Sequence, residues 1–277
     1  MTTSKSPPTG PHTNPPAGPR TSPPAGPLTG AGNQLRREFA SWWGTGRWWR
    51  QALVWSGILG ALFAVMHWVL PALLPEDAGL PVATIEQTAR QFTELTAIVV
   101  TIGVVLLTQG LLLDERRNGV LEWLLSKPLT RPALIGARFV GHGAGLVLAV
   151  VALPWVVVHL LLSVAAGQAW HPGRSLATVG MLALLVVFHL ALVLALSTLT
   201  ASRVAVLAVP LALIVGADLV ATALPWAFDV LPWMLGRVGG TYLAQGVLVT
   251  PWPLLATVGW TALLLVVAMW RLDRTEL

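Results

Sequence analysis

The chain contains no cysteine, and Lys5 and Lys127 are its only lysines. The first absence excludes disulfides, thiolate metal sites and a cysteine nucleophile. The second excludes a phosphate-binding loop on this chain. Such a loop needs glycine directly before its lysine, and here Ser4 and Ser126 stand there. Charge is scarce as well: 10% of the residues are charged, against about 25% in an ordinary soluble domain, while 55% are hydrophobic. A His-Glu-x-x-His zinc motif is missing, no apolar run carries paired carboxylates, and no spacing of serine and histidine selects a nucleophile with its base. These absences argue against an enzyme with its own active site, and no resident cofactor is expected.

What is present is apolar sequence in long runs. About 20 such residues cross a hydrocarbon core. Six runs qualify, at about 53–74, 95–113, 139–164, 176–199, 204–224 and 254–270. They are continuously apolar rather than alternating, which favours helices over a barrel. The expected fold is therefore all-α, a polytopic membrane protein with six transmembrane helices. The net charge of +5 does not imply nucleic acid, because in a membrane protein the position of each positive charge is what counts. With the N-terminus placed in the cytoplasm, Arg90, Arg174 and Arg237 are the only basic residues of the 17 that fall outside. That asymmetry predicts both termini inside and an even number of spans. The tryptophans agree, gathering near both headgroup levels.

Residues 1–32 carry an eight-residue proline repeat, PPTGPHTN, PPAGPRTS, PPAGPLTG, and read as a disordered or polyproline-like tail; residues 33–277 read as the membrane domain. Within NQLRREFASWWGTGRWWR, Asn33 is a candidate N-cap. Leu35, Phe39, Trp42, Trp43 and Trp49 share an arc beside Arg36, Arg37 and Arg47, so an amphipathic helix lying in the inner interface is expected. Pro75–Glu94 reads as an outer loop, and Pro225–Pro253 as a short helix or re-entrant element at the outer face.

The segment Asp114–Gly141, DERRNGVLEWLLSKPLTRPALIGARFVG, is unusually rich for a loop between spans. Val120, Leu121, Leu124 and Leu125 follow helical spacing, Pro128 ends that helix, and Thr130 with Pro132 starts the next. At these residues the chain resembles the membrane permease subunits of type-2 ATP-binding-cassette (ABC) exporters. Their loop between spans two and three reads as an acidic residue, then Gly-x-Leu-Glu-x-Leu-Leu-Ser-x-Pro, a small hydroxyl residue, Arg, and later a Gly-Lys pair. Here Glu115, Gly119, Leu121, Glu122, Leu124, Leu125, Ser126, Pro128, Thr130 and Arg131 match, while Ala137 and Arg138 replace Gly and Lys. The proline-rich tail is not typical of that family.

The resemblance implies a plasma-membrane permease whose loop forms a short cytoplasmic coupling helix seated on a separate ATPase subunit. ATP and Mg would be bound by that partner, and two permease subunits would pair, as a homodimer or heterodimer. Coupling contacts are then expected from Glu115, Arg116, Arg117, Glu122, Lys127 and Arg131, on a segment shaped by Gly119, Leu121, Leu125 and Pro128. The interfacial helix, through Arg36, Arg37, Phe39, Trp42 and Trp43, is expected to touch the ATPase and membrane lipids. Buried polar residues leave other readings open. Asp218, His142, His159, His189 and Gln109 fall in or near spans, where a polar group serves a transport path or a hydrogen bond between helices. A proton-coupled secondary transporter using Asp218 and the histidines is one alternative. A membrane anchor that recruits a soluble partner through the same loop is another.

Overall fold

The computed structural model describes residues 26, 28–73, 84–120 and 129–274, without the side chains at 217 and 218. All regular structure among them is helical. Helix α1 covers Ala31–Trp43. Next come α2 at Arg47–Leu73, α3 at Ile85–Thr108, a short α4 at Leu113–Arg117 and α5 at Arg131–Ala166. They are followed by α6 at Pro172–Leu199, α7 at Arg203–Ala223, α8 at Leu235–Gln245 and α9 at Trp252–Asp273. Among the described residues, five helices are long and apolar enough to cross a membrane: α2, α3 with its α4 continuation, α5, α6 and α9. In α7 the apolar stretch Arg203–Gly216 is shorter, and the whole helix has 21 residues.

Helix α6 is the axis of the bundle. Its residues from Phe188 to Ala195 are buried without interruption, because α3, α5, α7, α8 and α9 all pack around it. The outer helices turn large apolar side chains outward, such as Leu73, Val164, Val204 and Val215, each more than 70% exposed. A continuous apolar exterior of this kind is costly in water and matched to lipid tails.

The helices outrun the apolar runs that announce them. Helix α3 begins at Ile85, ten residues before its apolar stretch. Thr84 accepts from the Gln87 N–H while Gln87 bonds back to the Thr84 N–H, a reciprocal cap that starts the helix in polar sequence. The expected outer loop through Glu94 is thus helical from Ile85, with Arg90 and Glu94 paired one turn apart. At the other end α5 starts at Arg131, with Thr130 in the N-cap position and proline in the first turn.

Helix α1 begins after Gly30, in a left-handed conformation, rather than at Asn33. It stops at Trp43, and Gly46, also left-handed, turns the chain into α2. Trp48, Trp49 and Arg50 therefore belong to α2 and not to the interfacial helix. Prolines inside α2 and α5 do not break them. A π-helical turn at Val65–Val69 precedes Pro71, and another at Val147–Ala152 precedes Pro154, where the missing N–H is absorbed. A Schellman turn at Gly167 closes α5: the Gln168 N–H reaches the Ser163 carbonyl and the Gly167 N–H that of Val164.

Candidate functional site

The loop segment after α3 is held by its arginines. Arg116 donates to the Ser197 carbonyl at 3.2 Å, in the last turn of α6, and Arg117 to the Ala201 carbonyl at 3.2 Å, in the turn that follows it. Arg131 donates to the Leu272 and Asp273 carbonyls at 2.8 and 2.7 Å, at the C-terminal end of α9. Helix C-termini leave carbonyls without intrahelical donors and carry negative partial charge, so guanidinium groups belong there. On the far side of α4, Arg203 bridges to Asp114 at 3.2 Å.

Arg138 is the centre of this end of the molecule. It lies on α5, 2% exposed, and its guanidinium faces three elements. One Nη pairs with the Glu115 carboxylate of α4, the other donates to the Leu111 carbonyl in the turn after α3, and Nε stands 3.7 Å from Glu38 of α1. Glu38 also accepts from Gln34 at 2.6 Å and lies 3.3 Å from His142 Nδ1. Burial pushes the Glu38 carboxyl above its usual range, against the pull of Arg138 and the Gln34 hydrogen bond. A small cavity of about 220 Å³ opens beside these groups, lined by Arg37, Ser41 and Arg47 among others.

Two glycines make this approach possible. A Cβ on Gly141 would overlap the Glu38 side chain, and one on Gly145 would overlap the Trp42 ring. Glycines four apart thus cut a groove in α5 that receives residues four apart on α1. Trp42 is fully buried there, edge-on to His142, with Arg47 stacked over it at 4.8 Å. The Thr130 N–H adds a bond to the Thr29 carbonyl just before α1.

The docked face of α1 is therefore Gln34, Glu38 and Trp42, not the aromatic arc alone. Phe39 is half-buried, while Arg36, Arg37 and Trp43 are exposed. Glu38, Gln34 and Arg138 were not among the candidates read from sequence. The signal for them was the Gly-x-x-x-Gly pair at 141–145, opposite a Gln-x-x-x-Glu pair in a helix that is otherwise basic and aromatic.

The opposite end is built differently. Helix α8 lies across α3 and α6, and its glycines set the spacing. A Cβ on Gly236 would come within 2.7 Å of Ala97, and one on Gly240 within 2.7 Å of the Arg90 carbonyl. Arg174 donates to the Ala244 carbonyl at the C-terminal end of α8. Beneath α8 is a cavity of about 540 Å³ between α3, α6 and α7. Gln91, Glu94, Thr101, Thr222 and Arg237 give it polar groups, and Leu95, Ile98, Leu185, Ile214 and Trp233 give it apolar ones. The expected structured element at Pro225–Pro253 is thus two 3-10 turns followed by α8.

The other sequence candidates are dispersed. His159 shares a hydrogen bond with Ser175 at 2.8 Å, and His189 bonds its own helix at the Leu185 carbonyl. Gln109, at the C-terminal cap of α3, donates to the Leu106 carbonyl of the same helix and does not line the larger cavity. Only His142 joins the Glu38 cluster. Among the described residues no three His, Asp or Glu side chains converge to hold a metal ion. Asp218 is helical, one turn from Ile214 and one turn from Thr222, but its side chain lies outside the description. Gly119 is described, with φ 66, a left-handed turn that ends α4. Leu121, Glu122, Leu125, Lys127 and Pro128, the heart of the expected coupling helix, lie outside the described residues.

A family model described as ABC-2 family transporter protein matches residues 73–234, more than half of the chain. The chain belongs to the ABC-2 transporter family. Among curated proteins, none matches it. The match runs from the end of α2 to the 3-10 turn before α8, so it takes in Glu115, Arg138 and the polar segment between them. Glu38 and the rest of α1 lie outside it. As a member of this family the chain is a membrane component of transport.

Proposed function

We propose that this chain is the permease subunit of an ATP-driven exporter in the plasma membrane, with six spans, α7 included, and both termini in the cytoplasm. The ATPase is a separate polypeptide that binds ATP and Mg, and two permease subunits pair to enclose the path. The arginine end of the bundle is then the cytoplasmic end, in keeping with the positive-inside rule. The polar segment after α4 meets the ATPase there as a coupling helix, with Glu122 and Lys127 at the contact. Glu115, Arg116, Arg117 and Arg131 flank that contact and secure it to the bundle. Helix α1, with Arg36, Arg37 and Trp43 exposed and Phe39 half-buried, lies in the inner interface.

The observation that carries this reading is the family match over the segment that holds both the coupling sequence and its anchors. The cavity beneath α8 supports it, since its lining mixes polar and apolar groups on α3, α6 and α7. The separate environments of His142, His159 and His189 favour it over a proton relay.

The absence of cysteine makes the test clean. Gln91→Cys places a single thiol at the cavity. In cells of the native host, its labelling by a membrane-impermeant maleimide should change when ATP is depleted, as the cavity alternates between faces. Labelling that ignores ATP would contradict the proposal.

A further inference from the structure

We infer that Arg138 is a positioning residue that makes α1, the α3–α4 corner and the start of α5 into one rigid unit, so that force applied to the coupling segment also moves the interfacial helix. The inference deepens the coupling role proposed above and rests on it for its functional meaning.

The argument begins with reach. The three groups that Arg138 addresses come from three separate elements: Glu115 of α4, the Leu111 carbonyl after α3, and Glu38 of α1. A guanidinium presents donors in a planar fork: here the two Nη groups hydrogen-bond Leu111 and Glu115, while Nε, without a hydrogen-bond partner, meets Glu38 as a buried charge 3.7 Å away; an ammonium is a single point charge. Arg138 itself is 2% exposed. The surroundings leave α1 little freedom. Gln34 hydrogen-bonds Glu38 from the other side with His142 Nδ1 3.3 Å away, Gly141 and Gly145 set the separation, and Arg47 covers Trp42. Helix α1 thus contacts the bundle mainly along one face, and Arg138 ties that face to the corner carrying the coupling segment. The same corner is secured to the last turn of α6 through Arg116 and to the turn after it through Arg117. A push there is passed on through the Arg138–Glu38 charge contact and the close packing of α1 on Gly141 and Gly145.

Glu38 contributes as an acceptor. Its carboxyl is held by the Gln34 amide and by packing over Gly141 whether or not it carries charge. Glu38→Gln should therefore keep the unit together. Arg138→Gln and Arg138→Lys should not, because neither spans all three partners.

The test is a distance distribution between spin labels at Ala40→Cys on α1 and Asn118→Cys beyond α4, both exposed, in the full chain in lipid nanodiscs. Wild-type background and Glu38→Gln should each give one narrow peak. Arg138→Lys and Arg138→Gln should lose it to a broad distribution. Should Arg138 variants fail to fold, Glu115→Leu, at a partly exposed position, should broaden the distribution in the same way. A narrow peak that survives Arg138→Lys or Glu115→Leu overturns the inference.

A second label pair, Asn118→Cys with Gln168→Cys at the opposite end, is read with the ATPase partner bound. Nucleotide should shift this pair while leaving the Ala40–Asn118 distance unchanged. A change in both distances would mean that α1 does not move with the corner, and overturns the inference. No shift in the second pair would instead contradict ATP coupling, and the resting distributions would still decide the role of Arg138.

Discussion

At one end of the bundle helices are joined by arginine above a glycine groove, and at the other mainly by glycine. Around Arg138, long side chains reach across gaps to carbonyls and carboxylates on neighbouring elements. Around α8, glycines bring backbones into contact, and Arg174 adds one cap. The two devices differ in what they permit. Glycine contacts depend on close approach and fail within a fraction of an ångström of overlap. Guanidinium ties are directional and tolerate small shifts, but they leave expensive buried charge behind when one partner is removed. Under the proposed function both have a use: a tied corner to transmit motion, and a closely packed cap over a cavity.

Removing Arg138 should give the largest break in this comparison. Arg138→Leu strands Glu38 and Glu115 around an apolar side chain and should cost about 3–5 kcal/mol. The expected readout is a marked fall in the melting temperature of detergent-solubilised protein, or failure to accumulate in the membrane. A melting curve like that of the wild type would mean that the cluster holds nothing together.

Overfilling the glycine contacts should come next. Gly145→Leu drives into Trp42 and Gly240→Leu into the Arg90 backbone, each costing about 1–3 kcal/mol by overpacking. Their local effects should separate. Gly145→Leu should release α1 and expose the Arg36 and Arg37 bonds to trypsin, while Gly240→Leu leaves that cleavage unchanged. Equal proteolysis in both would erase the distinction between the ends.

Arg131→Gln loses a cation at the C-terminus of α9, worth about 0.3–1 kcal/mol. Amide hydrogen exchange should quicken in the last turn of α9 and not in α6. Uniform protection would show that the Leu272 and Asp273 carbonyls are satisfied without it.

The smallest effect is in pH. Burial raises the Glu38 carboxyl, so the folded protein binds this proton more tightly than the unfolded chain. Its contribution to stability is full below the ordinary glutamate value of about 4.3 and is lost as pH rises through the raised value. Wild type should therefore lose stability relative to Glu38→Gln across that window, when melting temperatures are compared at stepped pH. The opposite slope would mean that Arg138 outweighs burial at this site.

Much of the fold was legible because lipid imposes a simple rule. Leu53, Leu176 and Leu254 open apolar runs that proved helical, since no other element satisfies its backbone so simply in that setting. The ends were harder to read. Hydropathy marks the part of a helix in hydrocarbon, whereas α3 starts where Thr84 and Gln87 cap it, a pattern written in the sequence but not in its hydropathy. The site was half legible. Arg116, Arg117 and Arg131 stood out as loop charges, yet their partners are carbonyls of α6, of the turn after it and of α9, which no local pattern specifies. Arg138 looked like a departure from a family motif and became the hub because Gly141 and Gly145 let α1 come close, a consequence of tertiary packing.

The most direct test of the account is to ask what binds the arginine end. The chain, tagged in its native host and gently solubilised, should bring with it a stoichiometric ATPase bearing a phosphate-binding loop. Glu122→Arg should lose that partner while Gly240→Leu retains it. Recovery of the folded permease without an ATPase, or equal binding by Glu122→Arg, would contradict the coupling role assigned to this end of the molecule.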